Sequence, residues 1–365
     1  MKKLLCLFLV LFCFVSPFVG ATQPSQWKVP AIYVFGDSTV DVGNNNYLTR
    51  SRAKANFPHY GIDFPHSRPT GRFSNGYNAI DFIASHMGFR RSPPPYLFLN
   101  DTNNHQIVKG LRGVNFASAG SGILDSTGTN IITTTQQVLY FEALRSKMVA
   151  QSNADQVALR LSKSLFLISS GGNDAFAFAT ANKSPNNTAI LLFYNTVISK
   201  YENHIKTLYG LGARYFAVIN VPSIGCVPSA RAKNPTGGCI DSMNQLAKGL
   251  NDAVAALFLK LSVTLPGLEY SIGNSYEFLS TVISKPRLYG GFEEVKSACC
   301  GGGKFNAESS CTPNATYCMK RSRYVFWDNT HPSQATSKLA GALFYDGPAQ
   351  FVGPITFKQL VKSAY

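Results

Sequence analysis

Short unbroken apolar runs alternate along this chain with longer stretches in which apolar positions recur every three or four residues. The runs are Ala31-Ile32-Tyr33-Val34-Phe35, Leu165-Phe166-Leu167-Ile168-Ser169 and Tyr215-Phe216-Ala217-Val218-Ile219-Asn220. Runs of this kind suit parallel strands covered on both faces; a strand with one wet face alternates instead. One periodic stretch carries Ile190, Leu191, Tyr194, Val197, Ile198, Tyr201, Ile205 and Leu208 and stops at Gly210 and Gly212. A second carries Met243, Leu246, Leu250, Val254, Leu257 and Leu261 and stops at Pro266-Gly267. A shorter one, Ile80, Ile83, Ala84 and Met87, ends at Gly88. Each predicts a helix with one face in the core. Strands interleaved with helices predict an α/β sandwich around a mostly parallel sheet, with the active groups on loops at the carboxyl ends of strands.

The first residues read differently. Lys2 and Lys3 precede an apolar run from Leu4 to Val15, and Val19-Gly20-Ala21 offers a small-residue cleavage site. Residues 1–21 are therefore expected to be a signal peptide, the run being too short to span a bilayer comfortably. No fixed-period repeat or low-complexity linker divides the rest, so residues 22–365 are expected to form a single domain. No later apolar stretch reaches spanning length, and the C-terminal Lys362-Ser363-Ala364-Tyr365 has no retention signal or apolar anchor tail. The expected destination is the cell exterior, in the apoplast or cell wall.

Cysteine usage agrees. Cys6 and Cys13 fall in the leader, leaving Cys226, Cys239, Cys299, Cys300, Cys311 and Cys318. An even number in an exported chain points to disulfides. Cys226 is expected to pair with Cys239, while Cys299 and Cys300 each reach Cys311 or Cys318. A zinc site is the competing reading, but no C-x-x-C pair exists. Asn100, Asn182, Asn186 and Asn314 each open an N-x-S/T glycosylation sequon.

The formal charge is +15 at neutral pH, two less without Lys2 and Lys3. An excess of this size attracts polyanions such as acidic cell-wall polysaccharide, although it serves solubility equally well. Lys and Arg are scattered and no nucleic-acid motif appears, which argues against a nucleic-acid partner.

Three candidate chemical motifs directly follow strand-like segments: Gly36-Asp37-Ser38, Asn115-Phe116-Ala117-Ser118-Ala119-Gly120-Ser121-Gly122 and Gly171-Gly172-Asn173-Asp174. A fourth, Phe326-Trp327-Asp328-Asn329-Thr330-His331-Pro332, lies near the C-terminus. Singly these are weak, since Gly-Asp-Ser is usually a turn. Of six histidines, only His331 has a carboxylate three residues before it and a proline after it. Pro332 biases His331 to an extended backbone, so Asp328 and His331 share a loop. There the acid can take the Nδ1 proton and leave Nε2 free as a base. Ser38, Asp328 and His331 thus offer a triad from the two ends of the chain. The backbone N–H of Ser38, the backbone N–H of Gly120 and the side-chain amide of Asn173 offer an oxyanion hole. Each such donor is worth about 3–4 kcal/mol of transition-state stabilisation.

Together the four blocks resemble the GDSL esterase/lipase family of the SGNH hydrolase superfamily, and the run from Phe35 to Asn46 resembles its plant branch. The resemblance covers nearly all of the mature chain, with the blocks in family order from Phe35 to Pro332. It implies a flavodoxin-like three-layer α/β/α fold and a hydrolase using Ser, Gly, Asn and His. Ser38 is then nucleophile and first oxyanion donor, Gly120 and Asn173 the other donors, His331 the base and Asp328 its orienting partner. Thr39 stands where the family name has leucine, but that side chain does no chemistry. The absence of G-x-S-x-G argues against the α/β-hydrolase nucleophile elbow.

The expected activity is hydrolysis of carboxylic esters through an acyl-enzyme, without a cofactor or metal. The ester substrate would be an acyl or acetyl ester of a lipid, a cell-wall polymer or a small metabolite. Two alternatives use the same fold: acyl transfer to a second alcohol, and a non-catalytic binding protein, which would be expected to lose a triad member. Asp37, Asp41, Asn44, Asn45, Asn46 and Asp174 are expected to cap turns beside the site. Phe57, Tyr60, Tyr96 and Phe176 can line an acyl pocket, though core packing is the commoner use of such residues.

Overall fold

Ile32 and Tyr33 are neighbours on the first strand, yet they pack into different hydrophobic cores, and this division organises the molecule. The computed structural model describes residues 28–364, so the expected leader, residues 1–21, lies outside the described residues. The first half of the chain runs β1 (Ala31–Gly36), α1 (Ala79–His86), β2 (Arg112–Asn115), α2 (Thr134–Gln151), α3 (Ala154–Ser162), β3 (Leu165–Ser169) and α4 (Gly172–Ala181). There follow α5 (Asn187–Gly210), β4 (Tyr215–Ile219), α6 (Pro228–Lys233), α7 (Asp241–Thr264), β5 (Glu269–Gly273) and α8 (Ser275–Ser284). The last part holds β6 (Glu294–Ala298), β7 (Cys300–Gly301), β8 (Thr316–Tyr317), β9 (Tyr324–Phe326), α9 (Gln334–Asp346), β10 (Val352–Gly353) and α10 (Phe357–Lys362).

The central sheet has the order β10-β5-β4-β3-β1-β2. All its pairs are parallel except β10 on β5. Without β10 this is the flavodoxin-like order, 2-1-3-4-5, whose switch point lies between β1 and β3. The register brings Gly36, Ser169, Ile219 and Gly273 into one row. The loops leaving β1, β3, β4 and β5 therefore emerge side by side along one edge.

Side chains alternate across a strand with period two. Tyr33, Phe35, Phe166, Ile168, Phe216 and Val218 face one way, against Phe141 of α2, Val197 and Tyr201 of α5 and Leu250 and Val254 of α7. Ile32, Val34, Leu165, Leu167, Ala217 and Ile219 face the other way, against Ile80 and Ile83 of α1, Ala340 and Phe344 of α9 and Leu360 of α10. The result is helix, sheet, helix: a three-layer α/β/α sandwich. Burying each large apolar side chain contributes about 1.5–3 kcal/mol, which is why both faces of these strands read as apolar.

The expected strands and helices are present. The third strand closes at Ile219, and Asn220 instead donates its N–H to the Gly273 carbonyl at 3.1 Å. The three periodic stretches lie in α5, α7 and α1, except that Leu191, expected in the core, is exposed because it sits off the buried face of α5, and Met87 caps α1. The apolar pattern does not mark β5 or α2. β5 mixes Glu and Ser into its run, and α2 spreads its apolar positions thinly.

A smaller disulfide-braced region joins β6 to β9 and β7 to β8. Cys226 bonds Cys239 as expected, and the open pairing resolves as Cys299–Cys318 and Cys300–Cys311. All six cysteines of the described residues are in disulfides, so none of these offers a thiolate to zinc. The Cys299 and Cys300 N–H groups donate to the Phe326 and Trp327 carbonyls at 3.0 and 2.7 Å. The cross-linked segment thereby holds the backbone that immediately precedes Asp328.

Candidate active site

The exit from β1 is shaped by Gly36, which has φ +142°, and a Cβ there would sit 2.0 Å from the Ser169 carbonyl oxygen. Glycine lets β1 close on β3 where a side chain cannot fit. The chain then turns tightly. Asp37 N–H donates to the Ser169 carbonyl at 3.1 Å. The Asp37 carboxylate accepts from Thr39 N–H at 2.9 Å and Thr39 Oγ1 at 2.7 Å. Ser38 stands at the apex, and its N–H has no hydrogen-bond partner among the described residues.

His331 arrives from the opposite end of the chain. After β9, the Asp328 carboxylate accepts the Thr330 and His331 N–H groups at 2.9 and 2.7 Å, closing a tight loop. The loop is pinned by Trp327 N–H donating to the His331 carbonyl at 2.8 Å. The imidazole Nδ1 lies 2.9 and 2.8 Å from the two Asp328 oxygens. Its Nε2 lies 2.8 Å from Ser38 Oγ. A carboxylate at Nδ1 keeps the proton there, so Nε2 meets the serine hydroxyl as an acceptor.

Asp328 is buried, and burial alone would raise its pKa; the His331 charge and the N–H donors outweigh it and hold the carboxyl below its usual range. For His331 burial disfavours the cation, but the Asp328 charge and hydrogen bond prevail and raise the imidazole pKa above its ordinary value. Ser38, His331 and Asp328 thus form one hydrogen-bonded chain.

Tyr60 completes the surroundings of the acid. Its hydroxyl donates to Asp328 Oδ2 at 2.7 Å. Phe57 and Phe73 pack edge-on against its ring, and Phe73 also lies 4.8 Å from the imidazole. Of the four aromatics considered as pocket walls, only Phe176 lines the cavity at Ser38. Tyr60 is a hydrogen-bond donor to the acid, Phe57 supports it, and Tyr96 stacks on Tyr140 and Phe116. Sequence reasoning missed the Tyr60 contact because no local pattern links positions 268 residues apart.

Three loops bring polar donors toward Ser38. Gly120 follows β2 with φ +89°, and its N–H is unpaired among the described residues. Asn173 opens α4 after β3 and spends one amide proton on the Ser121 carbonyl at 2.8 Å. That bond ties Asn173 to the Gly120–Ser121 turn and leaves its second amide proton free. Ser38, Asn173 and His331 line one cavity; Gly120 does not line it and is coupled to it through Ser121.

The family model for the GDSL-like lipase/acylhydrolase domain matches residues 32–344. The chain is 38% identical to the Arabidopsis thaliana GDSL esterase/lipase At5g55050, covering 98% of this chain and 96% of that protein. It is 38% identical to the GDSL esterase/lipase At1g71250 of the same plant, covering 92% and 90% of the two chains. The chain belongs to the GDSL-like lipase/acylhydrolase family. It is a carboxylic ester hydrolase.

In this GDSL hydrolase the polar residues beside Ser38 hold loops. Asp41 accepts from the N–H groups of Gly43, Asn44 and Ala119 at 2.7, 2.9 and 3.0 Å. Asn44 donates to the Asn115 and Ala117 carbonyls, Asn45 to those of Ala53 and Ala119, and Asn46 to that of Thr70. Asp174 accepts from Ile123 N–H, Leu124 N–H and Thr127 Oγ1, fixing the turn that follows Gly120. Burial pushes the Asp37 and Asp41 carboxyls up to about 6, against the pull of these donors. All four sequon asparagines, Asn100, Asn182, Asn186 and Asn314, are exposed on the GDSL hydrolase surface. No helix of the described residues is long and apolar enough to cross a membrane.

Proposed function

We propose that the protein is an exported serine esterase that works through an acyl-enzyme on Ser38. The observation that carries this reading is the 2.8 Å contact between Ser38 Oγ and His331 Nε2, with Asp328 on the far side of the ring. His331 takes the hydroxyl proton as Ser38 attacks the ester carbonyl. The oxyanion is met by the N–H groups of Ser38 and Gly120 and by the Asn173 amide. His331 then protonates the leaving alcohol, and water activated by the same imidazole releases the acid. Asp328 keeps the ring in the required tautomer and offsets the charge that forms on it.

The test is turnover of p-nitrophenyl esters by Ser38→Ala and His331→Ala, together with labelling by a fluorophosphonate. Both variants are expected to lose at least about 10³-fold in kcat, and the probe to label Ser38 alone. Full activity in Ser38→Ala would end this reading.

Export rests on the leader-like first 21 residues, the four exposed sequons and the three disulfides, which suit an oxidising compartment. If Asn100, Asn182, Asn186 and Asn314 carry glycans, enzymatic deglycosylation should measurably increase electrophoretic mobility; no shift would mean these sequons are unused. The net positive charge supports retention on acidic wall polysaccharide. Binding to immobilised polygalacturonate that is lost in moderate salt is the expected outcome, and passage through such a column at low salt would reject retention.

A further inference from the structure

Behind Ser38 the molecule is hollow. A cavity of about 130 Å³ starts at Ser38, Asn173 and His331 and runs between the carboxyl end of β4 and the helices α8 and α9. Val40, Phe176, Val221, Leu279, Ala340 and Phe344 are among its walls. Among the described residues that line it, only Asp37 and His331 are acidic or basic, and both lie beside Ser38. Ala340 and Phe344 lie one turn apart on α9 and so share a face. Phe344 is 1% exposed and sits edge-on to Phe278 at 5.7 Å. Its ring lies 2.8 Å from the point a Cβ on Gly273 would occupy, so the sheet closes the space behind it. Apolar surface dominates its walls, and Phe344 stands on the side that meets β5.

We propose that this cavity holds the acyl chain of the substrate, and that the enzyme acts on esters of straight aliphatic acids of about eight carbons or more rather than on acetyl esters. Ala340 and Phe344 set the chain length. The inference rests on Ser38 being the nucleophile. An acetyl group would leave the apolar walls wet, whereas each buried methylene raises transition-state binding about threefold to fourfold. The two halves of the ester differ in how long they are held. The acyl half stays bonded to Ser38 while water attacks, whereas the alcohol leaves after the first step, so apolar walls beside Ser38 favour both steps when they hold the acyl chain.

Two substrate series test this on the full-length mature protein. With p-nitrophenyl esters, kcat/KM is expected to rise at least about tenfold from acetate to octanoate. With a fixed total length, ethyl octanoate is expected to outrun octyl acetate. Ala340→Leu narrows the channel and should cut the octanoate-to-acetate ratio at least about fivefold; Phe344→Ala should move the optimum to longer chains. Equal rates on acetate and octanoate, a preference for octyl acetate, or an unmoved ratio in folded Ala340→Leu each overturns the proposal. Failure of the underlying reading is seen separately, as the absence of fluorophosphonate labelling at Ser38.

Discussion

The Tyr60 hydroxyl donates a 2.7 Å hydrogen bond to Oδ2 of Asp328, the oxygen that also lies 2.8 Å from His331 Nδ1. The hydrogen-bonded chain from Ser38 therefore has a fourth member, buried and supported by Phe57 and Phe73. Tyr60→Phe removes the donor and keeps the ring. The carboxylate then loses a competitor for its charge, which strengthens its pull on the imidazolium. The acid limb of the kcat/KM profile should move to higher pH, with kcat reduced about tenfold and KM little changed. A profile identical to the wild type would reduce Tyr60 to a packing residue.

Asp328→Asn keeps the shape of the loop but puts an amide where the imidazole needs an acceptor, favouring the wrong tautomer. A loss of about 10⁴-fold in kcat is expected, measured on p-nitrophenyl octanoate. A loss under tenfold would mean that the carboxylate only closes the 328–331 loop.

The pH dependence of the wild type follows from His331. Burial opposes its protonation, Asp328 favours it more strongly, and the pKa stands above the ordinary 6.5. Only the neutral imidazole can accept the Ser38 proton. Activity should therefore fall as pH drops through that raised value. In Asp328→Asn the limb should shift to lower pH, because the charge that raised the pKa is gone. Steady-state rates across pH 5 to 9, in buffers of constant ionic strength, check both statements.

Asn173 is the donor that can be removed without touching the backbone. Asn173→Ala should lower kcat by about 10²–10³-fold and leave KM nearly constant, since an oxyanion donor acts in the transition state. Its bond to the Ser121 carbonyl is also lost, so circular dichroism and thermal melting should accompany the kinetics. A rise in KM with unchanged kcat would assign Asn173 to ground-state binding instead.

Asp41 offers a stability test. Its folded pKa is pushed up to about 6 from 3.8 by burial. Between these values the folded state holds more protons than the unfolded one, so the group's contribution to stability falls as pH rises through that window and is lowest above it. The change is on the order of 2–3 kcal/mol. Asp41→Asn cannot titrate, so its stability difference from wild type should itself vary between pH 4 and 6. A constant difference across that range contradicts the shift.

Much of the site was legible in the chain because its parts are local. Gly36-Asp37-Ser38 is a strand end and its turn, Asp328 and His331 close one loop, and Asn173 opens a helix directly after a strand. Backbone rules and three-residue spacings act within such segments, so residue order alone reveals them. The same holds for the three unbroken strands and for the pairing of Cys226 with Cys239, isolated from the other cysteines.

What remained undecided depends on contacts between segments far apart in the chain. Strand order follows from which apolar faces can be covered together, and β5 became a strand only by pairing with β4 and β10. Cys299 and Cys300 differ by one position, so local spacing could not choose between Cys311 and Cys318; the direction each side chain takes from adjacent backbone positions did. Tyr60 meets Asp328, and α8 and α9 enclose the space behind Ser38, through packing of the whole sandwich. Local sequence encodes conformation through short-range sterics and hydrogen bonding, whereas the shape of a cavity is set by side chains that meet only after the chain has folded.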